Sequence, residues 1–183
     1  MKKNKQVSFI SRENALSLLA AIAISLVSFY LFSHVDFFRN MGYLGIFIIS
    51  LVSSATVLVP LPGFAVVFAM GAVLNPLLVG IVAGLGSGIG EISGYLAGFA
   101  GHDAVMKTKI FRQHKEKIEK GGPLLIFVLA FIPNPIFDVA GIASGAIKMP
   151  VWKFLLATCA GKILRYILLA YAGGYVGGIF SFA

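Results

Sequence analysis

The stretch VPLPG at residues 59–63 interrupts an apolar run that carries no charged residue across positions 40–90. Two prolines one residue apart remove backbone donors and prevent a helix from continuing. A second break, IPNP at residues 132–135, interrupts a later apolar run. Polar backbone freed at such a break cannot face lipid, so protein must cover it or it must line a wet cavity. The predicted turning points are Pro60, Pro62, Gly63, Pro133, Asn134 and Pro135.

Composition indicates a membrane protein. Of the 183 residues, 58% are hydrophobic and 12% are charged, whereas about a quarter of a soluble domain is charged. The lone Cys159 excludes a disulfide scaffold. The apolar stretches exceed any core that so short a soluble enzyme could enclose, and the sequence shows no nucleophile–base constellation or phosphate loop. We therefore predict an all-α polytopic membrane protein that is not an enzyme.

Basic residues give the chain a net charge of +8, and they concentrate before the first apolar run and in the polar segment 102–122. Such flanks orient membrane helices because cytoplasmic loops carry the Lys/Arg excess. A nucleic-acid surface would instead need basic residues on one folded face. We predict a cytoplasmic N-terminus, a cytoplasmic loop 102–122 and no nucleic-acid partner.

The number of predicted spans follows from segment length. Asn14–Ser33 is uncharged and longer than the ~7–15 apolar residues of a signal peptide, so it is predicted as a retained span. Residues 63–74 would reach only about 18 Å as a helix, against a hydrocarbon core of about 30 Å. The pieces around the proline breaks are therefore too short to cross.

We predict three spanning helices plus two opposed re-entrant helical hairpins. The first hairpin enters from the outer side and the second from the cytoplasmic side, which keeps the basic loop inside. The predicted segments are a tail with the first span at 1–40, and a domain at 41–178 made of hairpin 42–75, unbroken span 77–101, loop 102–122, hairpin 123–148 and span 150–173, then a tail at 179–183.

The two halves form a predicted inverted repeat. The proline breaks align, and with a one-residue gap GAVLNP at 71–76 lies over GAIKMP at 145–150. The same offset of 74 places Glu91 over Arg165. Inverted repeats with broken helices build midplane sites in several secondary transporters, so this architecture favours transport.

A family resemblance supports the same architecture. The stretch FIPNPIFD at 131–138, followed by Gly145, Trp152 and AGK at 160–162, resembles the DedA/VTT superfamily (SNARE-associated Golgi proteins), closest to its vacuole membrane protein branch. GEISGYLAG at 90–98 resembles the superfamily's acidic, Gly-Tyr, Gly motif. The resemblance implies opposed hairpins and lipid movement between leaflets: phospholipid scrambling in eukaryotic branches and polyprenyl-phosphate translocation in bacterial ones.

The sequence departs from the bacterial pattern at both breaks. Ala130 and Ile136 stand where bacterial members usually carry arginines, and Gly63 and Phe64 stand where an acid is common. In the family those residues are linked to proton-coupled transport and to handling of anionic head groups. The resemblance therefore does not carry proton coupling over to this chain.

Four ionisable residues fall within the predicted membrane segments: Glu91, Asp138, Lys162 and Arg165. A charge at the helix centre costs about 2.5–3.5 kcal/mol, and such residues normally face protein or water. Counting helical rise puts Glu91 and Arg165 at opposite depths. We therefore predict that Asp138 forms the close pair with Lys162 or Arg165.

These charges have functional and structural interpretations. The cations would attract a lipid phosphate, while Glu91 would repel it, take up a proton or meet an ammonium head group. Alternatively, an ion pair fixes a hairpin in place, and Asp138 caps the first turn after the break. Gly86, Gly90, Gly94 and Gly98 form a smooth ridge that predicts close helix packing. The scattered histidines lack metal-ligand spacing, so we expect no metal and no cofactor.

The leading hypothesis is a lipid translocator or scramblase in which the hairpins form a polar groove for head groups. A proton-coupled small-solute transporter and a non-transporting membrane scaffold are the alternatives. The expected partners are membrane lipids, and the sequence leaves a homo-oligomer open. A lean chain without a visible targeting extension indicates a bacterial cytoplasmic (inner) membrane.

Overall fold

A computed structural model describes residues 41–55, 63–102, 121–133 and 136–180, together with Leu16, Leu19 and Lys107. These parts of the chain are helical, and they contain no β-strand. The predicted first span and most of the predicted cytoplasmic loop lie outside the described residues. Four predicted turning points also lie outside them: Pro60, Pro62, Asn134 and Pro135.

The described residues form seven helices. In chain order they are α1 Tyr43–Ala55, α2 Gly63–Gly71, α3 Pro76–Gly90, α4 Ile92–Ala100, α5 Gly121–Phe131, α6 Ile136–Ala146 and α7 Val151–Phe180. The start of α3 shows why the boundaries fall where they do. Asn75 caps it by accepting hydrogen bonds from the N–H groups of Leu77 and Leu78, and Pro76 occupies the first turn, where no intrahelical donor is lost.

Two helical segments are long and apolar enough to cross a membrane, Pro76–Ala100 and Val151–Ile179. The predicted span 77–101 corresponds to the first of these segments, and a turn at Glu91 divides that segment into α3 and α4. The Ser93 hydroxyl donates to the Gly90 carbonyl at 3.1 Å and to the Ala55 carbonyl at 2.8 Å. A side chain that takes over a backbone acceptor competes with regular helix geometry.

The last helix continues beyond its predicted end at residue 173 and reaches Phe180. The residues that follow the predicted end are rich in glycine. In the structure, glycines in this stretch pack against α2: a side chain at Gly173 would overlap the Phe68 carbonyl, and one at Gly177 would press on Ala72. Small residues allow backbones to approach closely in membrane helices, so these glycines serve packing rather than termination.

The α3 and α7 helices run antiparallel along a glycine face. Gly80 contacts Ile167, and Gly88 contacts Cys159 further along the pair. On another side of α3, Gly86 lies against the Phe47 carbonyl, which brings α1 close. The α3 helix is therefore packed between α1 and α7, and all three contribute to the polar site described below.

The first half of the chain turns back on itself. The N–H of Asn75 donates to the Tyr43 hydroxyl at 3.3 Å, so the end of the α2 segment returns beside the start of α1. The α1 helix has 13 residues and α2 has 9, which correspond to about 20 Å and 14 Å. Neither length reaches across a hydrocarbon core of about 30 Å.

The second half packs in a similar way. The α6 helix lies against α4, where Gly98 meets the Ile142 carbonyl, and α5 lies against α7 near Gly161. The Tyr95 hydroxyl donates to the Met149 carbonyl at 2.6 Å and fixes the connection into α7. Lys148, in the left-handed region at φ 56°, makes the turn between α6 and α7.

Two buried apolar clusters follow these two halves. One contains Ile46, Val67, Val79, Ala83, Tyr166 and Ala170, and the other contains Tyr95, Ile126, Ala130, Phe137, Met149, Phe154 and Ala157. Helix α7 contributes to both, so it is the element that joins the halves. Lys162 and Arg165 lie along α7 between the positions that it contributes to the two clusters.

Candidate functional site

The centre of the candidate site is an ion pair between Glu91 and Lys162. Glu91 lies at the junction of α3 and α4, and Lys162 projects from α7. Both residues are buried, and Lys162 is 2% exposed. A buried charge needs both a counterion and hydrogen bonds to offset its lost hydration. This pair therefore locks α7 to the α3–α4 junction.

Serine side chains complete the surroundings of the lysine. The Lys162 ammonium donates to the Ser87 hydroxyl at 2.8 Å and lies 3.3 Å from the Ser54 hydroxyl. The two serine hydroxyls also hydrogen-bond to each other, and the Tyr166 hydroxyl lies 3.4 Å from that of Ser87. An ammonium has three donors, so Glu91, Ser87 and Ser54 together satisfy it.

An aromatic ring covers the same lysine from the second half of the chain. The Lys162 nitrogen lies 5.1 Å from the centre of the Phe137 ring on α6. A cation at this distance is attracted to the face of an aromatic ring. The lysine is thus held by α1, α3, α6 and the α3–α4 junction, and its charge is fully engaged inside the protein. We call Glu91, Lys162, Ser54 and Ser87 the closed network.

Arg165 follows Lys162 on α7 but has different surroundings. Its guanidinium lies 5.0 Å from the centre of the Phe64 ring and 5.1 Å from that of Tyr166. The side chain is half-buried, and its buried Nε has no hydrogen-bond partner. Within the described parts of the chain, no carboxylate lies within salt-bridge distance of it. Two aromatic rings therefore position this charge.

Asp138 lies in the first turn of α6 and is exposed. Neither Lys162 nor Arg165 forms a salt bridge with it among the described residues. The predicted pairing of Asp138 with one of these cations is therefore wrong, and Glu91 is the partner of Lys162. The prediction assumed straight helices at fixed depths, whereas a lysine reaches far along its flexible stem.

The predicted glycine ridge divides into two kinds of position. Side chains at Gly86, Gly90 and Gly98 would overlap the carbonyl oxygens of neighbouring helices, whereas nothing lies within 4 Å of a Cβ at Gly94. Of the predicted turning points, Pro133 is exposed, and a Cβ at Gly63 would meet the side chain of Ser53 at 3.0 Å. The predicted ridge thus contacts neighbouring helices at three of its four positions.

The sequence analysis missed the serines and Tyr166, although spacing could have indicated them. Ser87 precedes Glu91 by four residues, and Tyr166 follows Lys162 by four. Positions four apart share a helix face, so Ser87 is expected on the same face as Glu91, and Tyr166 on the same face as Lys162. Ser54 carries no such signal, because it comes from a separate helix. Across the described residues, no group of three His, Cys, Asp or Glu side chains could hold a metal ion.

Comparison with known proteins identifies the class. The family model of the VTT domain matches residues 61–175, which cover all the site elements except α1. The chain therefore belongs to the VTT-domain family, within the DedA superfamily. Among solved structures, none gives a significant match.

The individual relatives are vacuole membrane proteins. The chain is 51% identical to vacuole membrane protein KMS2 of Arabidopsis thaliana over 39 residues, which are 21% of this chain and 9% of that protein. It is 38% identical to vacuole membrane protein 1 of Mus musculus over 65 residues, which are 36% of this chain and 16% of that protein. The matched segments thus span less than a fifth of these relatives.

These findings confirm the resemblance to the vacuole membrane protein branch and support an integral membrane protein. The expected bacterial inner membrane finds no support, because the relatives are eukaryotic vacuole membrane proteins. That expectation rested on the lean chain length, which carries little information about the host compartment.

Proposed function

We propose that this protein moves lipids between leaflets, as a translocator or scramblase, with head groups passing along a polar groove beside α7. The observation that carries the proposal is Arg165, a half-buried cation whose buried Nε has no protein partner. Charged residues at membrane depth are costly and usually mark a substrate or ion pathway. A lipid phosphate is the acceptor that a guanidinium binds most readily in a bilayer.

Short helices supply the groove in this proposal. The α1, α2 and α6 helices are too short to cross the bilayer, and α2 returns beside the start of α1. We propose that they are arms of two re-entrant hairpins. Where such arms meet the long helices, polar side chains can face a wet lane instead of lipid.

Packing contacts support the proposed inverted repeat. The α2 and α6 arms each approach a long helix through two glycine–carbonyl contacts. These contacts are Gly71 with Ala170 and Gly173 with Phe68 for α2, and Gly145 with Tyr95 and Gly98 with Ile142 for α6. The offset of 74 that relates Gly71 to Gly145 also relates Phe68 to Ile142. The two arms therefore use matching positions.

The test is leaflet exchange of fluorescent phospholipids in liposomes that contain the purified full chain. We expect wild type to exchange lipids well above protein-free liposomes, and Arg165→Ala to lower the rate about tenfold. Lys153→Gln is the matched control, because Lys153 is an exposed cation of α7 near Trp152 and away from the site. Equal rates for wild type and protein-free liposomes would overturn the proposal and favour a scaffold.

A proton-coupled transporter of small solutes is the second candidate, and the buried carboxylate of Glu91 favours it. A carboxylate inside a membrane protein is a common proton carrier. Uptake driven by a pH gradient, and lost in the double variant Glu91→Gln/Lys162→Met, would support this candidate. Lipid exchange that is insensitive to the gradient would count against it.

A further inference from the structure

The turn between α6 and α7 holds a lysine in a backbone conformation that suits glycine. Lys148 has φ 56°, and among the described residues it is the one non-glycine residue with a positive φ. The N–H groups of Lys148 and Met149 donate to the carbonyls of Gly145 and Ser144, at 2.9 and 3.0 Å. These two bonds form a Schellman C-cap, whose left-handed position is usually glycine because a Cβ is strained there. A lysine at this position therefore costs backbone energy that glycine would avoid.

The end of α4 fixes the turn and its lysine. The ammonium of Lys148 lies 5.4 Å from the centre of the Phe99 ring. Close by, a ring nitrogen of His102 hydrogen-bonds to the Ala146 carbonyl. A contact with a ring face holds a cation in place but leaves the three N–H donors of an ammonium available to an oxygen ligand.

This lysine lies at the end of a membrane-spanning segment. Lys148 is exposed, and three residues later Val151 begins the second of the two long apolar segments. Trp152, in the first turn of that segment, is 61% exposed. Tryptophan is enriched at the membrane–water interface, and lysine extends its charged end to the same level. Lys148 is therefore placed to meet lipid head groups.

No carboxylate in the described parts of the chain pairs with Lys148. The two acidic residues there are Glu91, which pairs with Lys162, and Asp138, which lies at the opposite end of α6. The first half of the chain lacks an equivalent cation, because Leu74 stands 74 residues earlier and is not in the left-handed region. The strained lysine thus belongs to one end of the molecule only.

We propose that Lys148 binds the phosphate of an anionic phospholipid at the membrane surface, and that lysine occupies the strained position because of this contact. Backbone strain that a different residue would relieve is a reason to look for a function of the side chain. An anionic membrane surface attracts exposed basic residues, and Phe99 holds this one ready. The inference goes beyond lipid movement and does not depend on it, since it requires only a membrane protein.

The fluorescence of Trp152 can test the proposal, because it is the only tryptophan of the chain. Four residues separate it from Lys148, so their Cα atoms lie within about 14 Å. The full chain is reconstituted in mixed bilayers in which either phosphatidylglycerol or phosphatidylcholine carries brominated acyl chains. Bromine quenches nearby tryptophan, so the ratio of the two quenching efficiencies at equal mole fraction measures the local lipid preference.

Wild type should prefer phosphatidylglycerol about fivefold, the factor that one basic residue contributes near an anionic surface. Lys148→Gly should bring the ratio close to one. This variant removes the backbone strain together with the ammonium, so its unfolding midpoint in neutral detergent should equal that of wild type or rise by up to about 3 °C. Loss of the preference is thereby separated from a folding defect.

Two further variants test whether the preference belongs to this lysine. Lys148→Arg keeps the charge and should keep the preference. Lys153→Gln removes an exposed lysine that lies over the Trp152 ring itself, and it should also keep the preference.

Equal quenching by both lipids in wild type, or an unchanged preference in Lys148→Gly, would overturn the proposal. An equal loss of preference in Lys153→Gln would also overturn it, because any lysine near the surface would then suffice. A lower unfolding midpoint for Lys148→Gly would show that the lysine serves the fold, and would contradict its retention for a lipid.

Discussion

Lys162 and Arg165 lie three residues apart on α7 but differ in what surrounds each charge. Lys162 is buried against a carboxylate and two serines, whereas Arg165 is half-buried between rings and lacks a partner at its buried Nε. Burial makes the closed network costly to break, whereas Arg165 is only half-buried and makes no salt bridge among the described residues. The contrast gives Lys162 a structural role and, under the proposed lipid movement, leaves Arg165 to meet the head group.

The largest effect is expected when the closed network loses one charge. Glu91→Gln leaves the buried Lys162 ammonium without its counterion, which costs about 3–5 kcal/mol of folding stability. The measurement is the unfolding midpoint of the purified protein in detergent. The double variant Glu91→Gln/Lys162→Met should recover most of the loss because no unpaired charge remains. If Glu91→Gln were as stable as wild type, the Glu91–Lys162 ion pair would have no structural role.

A smaller effect is expected from the packing that positions the network. A Cβ at Gly86 would overlap the Phe47 carbonyl, so Gly86→Ala forces α1 away from α3 and draws Ser54 from Ser87. We expect a loss of about 1–3 kcal/mol, the usual cost of overpacking, in the same unfolding assay.

Gly94→Ala is the matched control for this packing prediction, because nothing lies within 4 Å of a Cβ at Gly94. Alanine is the better helix former, by up to about 1 kcal/mol, so this variant should be as stable as wild type or slightly more so. If Gly86→Ala and Gly94→Ala had the same stability, the close approach of α1 to α3 would not explain why residue 86 is glycine.

The smallest effect on stability is expected from a substitution at Asp138. Asp138 is exposed and makes no salt bridge among the described residues, so Asp138→Asn should change folding stability by less than about 0.5 kcal/mol. The unfolding midpoint is measured beside lipid exchange for the same preparation. A large loss of stability would show that Asp138 contributes to folding, as the closed network does, and would contradict this prediction.

Much of the architecture could be predicted from the sequence, because chain length and apolar composition limit what a membrane can accommodate. The long apolar runs predicted the two described long segments, and the glycines at every fourth position predicted a packing ridge. The charged residues of the site were also identifiable. An ionised side chain inside a membrane segment is energetically costly, so one that occurs in an apolar run usually has a specific role.

The partner of Lys162 could not be predicted in the same way. Axial counting gives depth along a straight helix, but it gives neither the rotation of one helix against another nor the reach of a lysine stem. Counting therefore favoured Asp138, and the fold selected Glu91. Ser54 was equally hidden, because it joins the site from a helix that lies far from Lys162 in sequence.

By itself the sequence determined a helical membrane protein with short apolar helices and four ionisable residues inside apolar segments, because these follow from local composition and spacing. The tertiary structure decided that Lys162 pairs with Glu91 and not with Asp138. It also decided that Gly173 continues a helix and that Gly94 needs no small side chain. These outcomes depend on which surfaces meet, and contacts between distant segments are not encoded in any single stretch of chain.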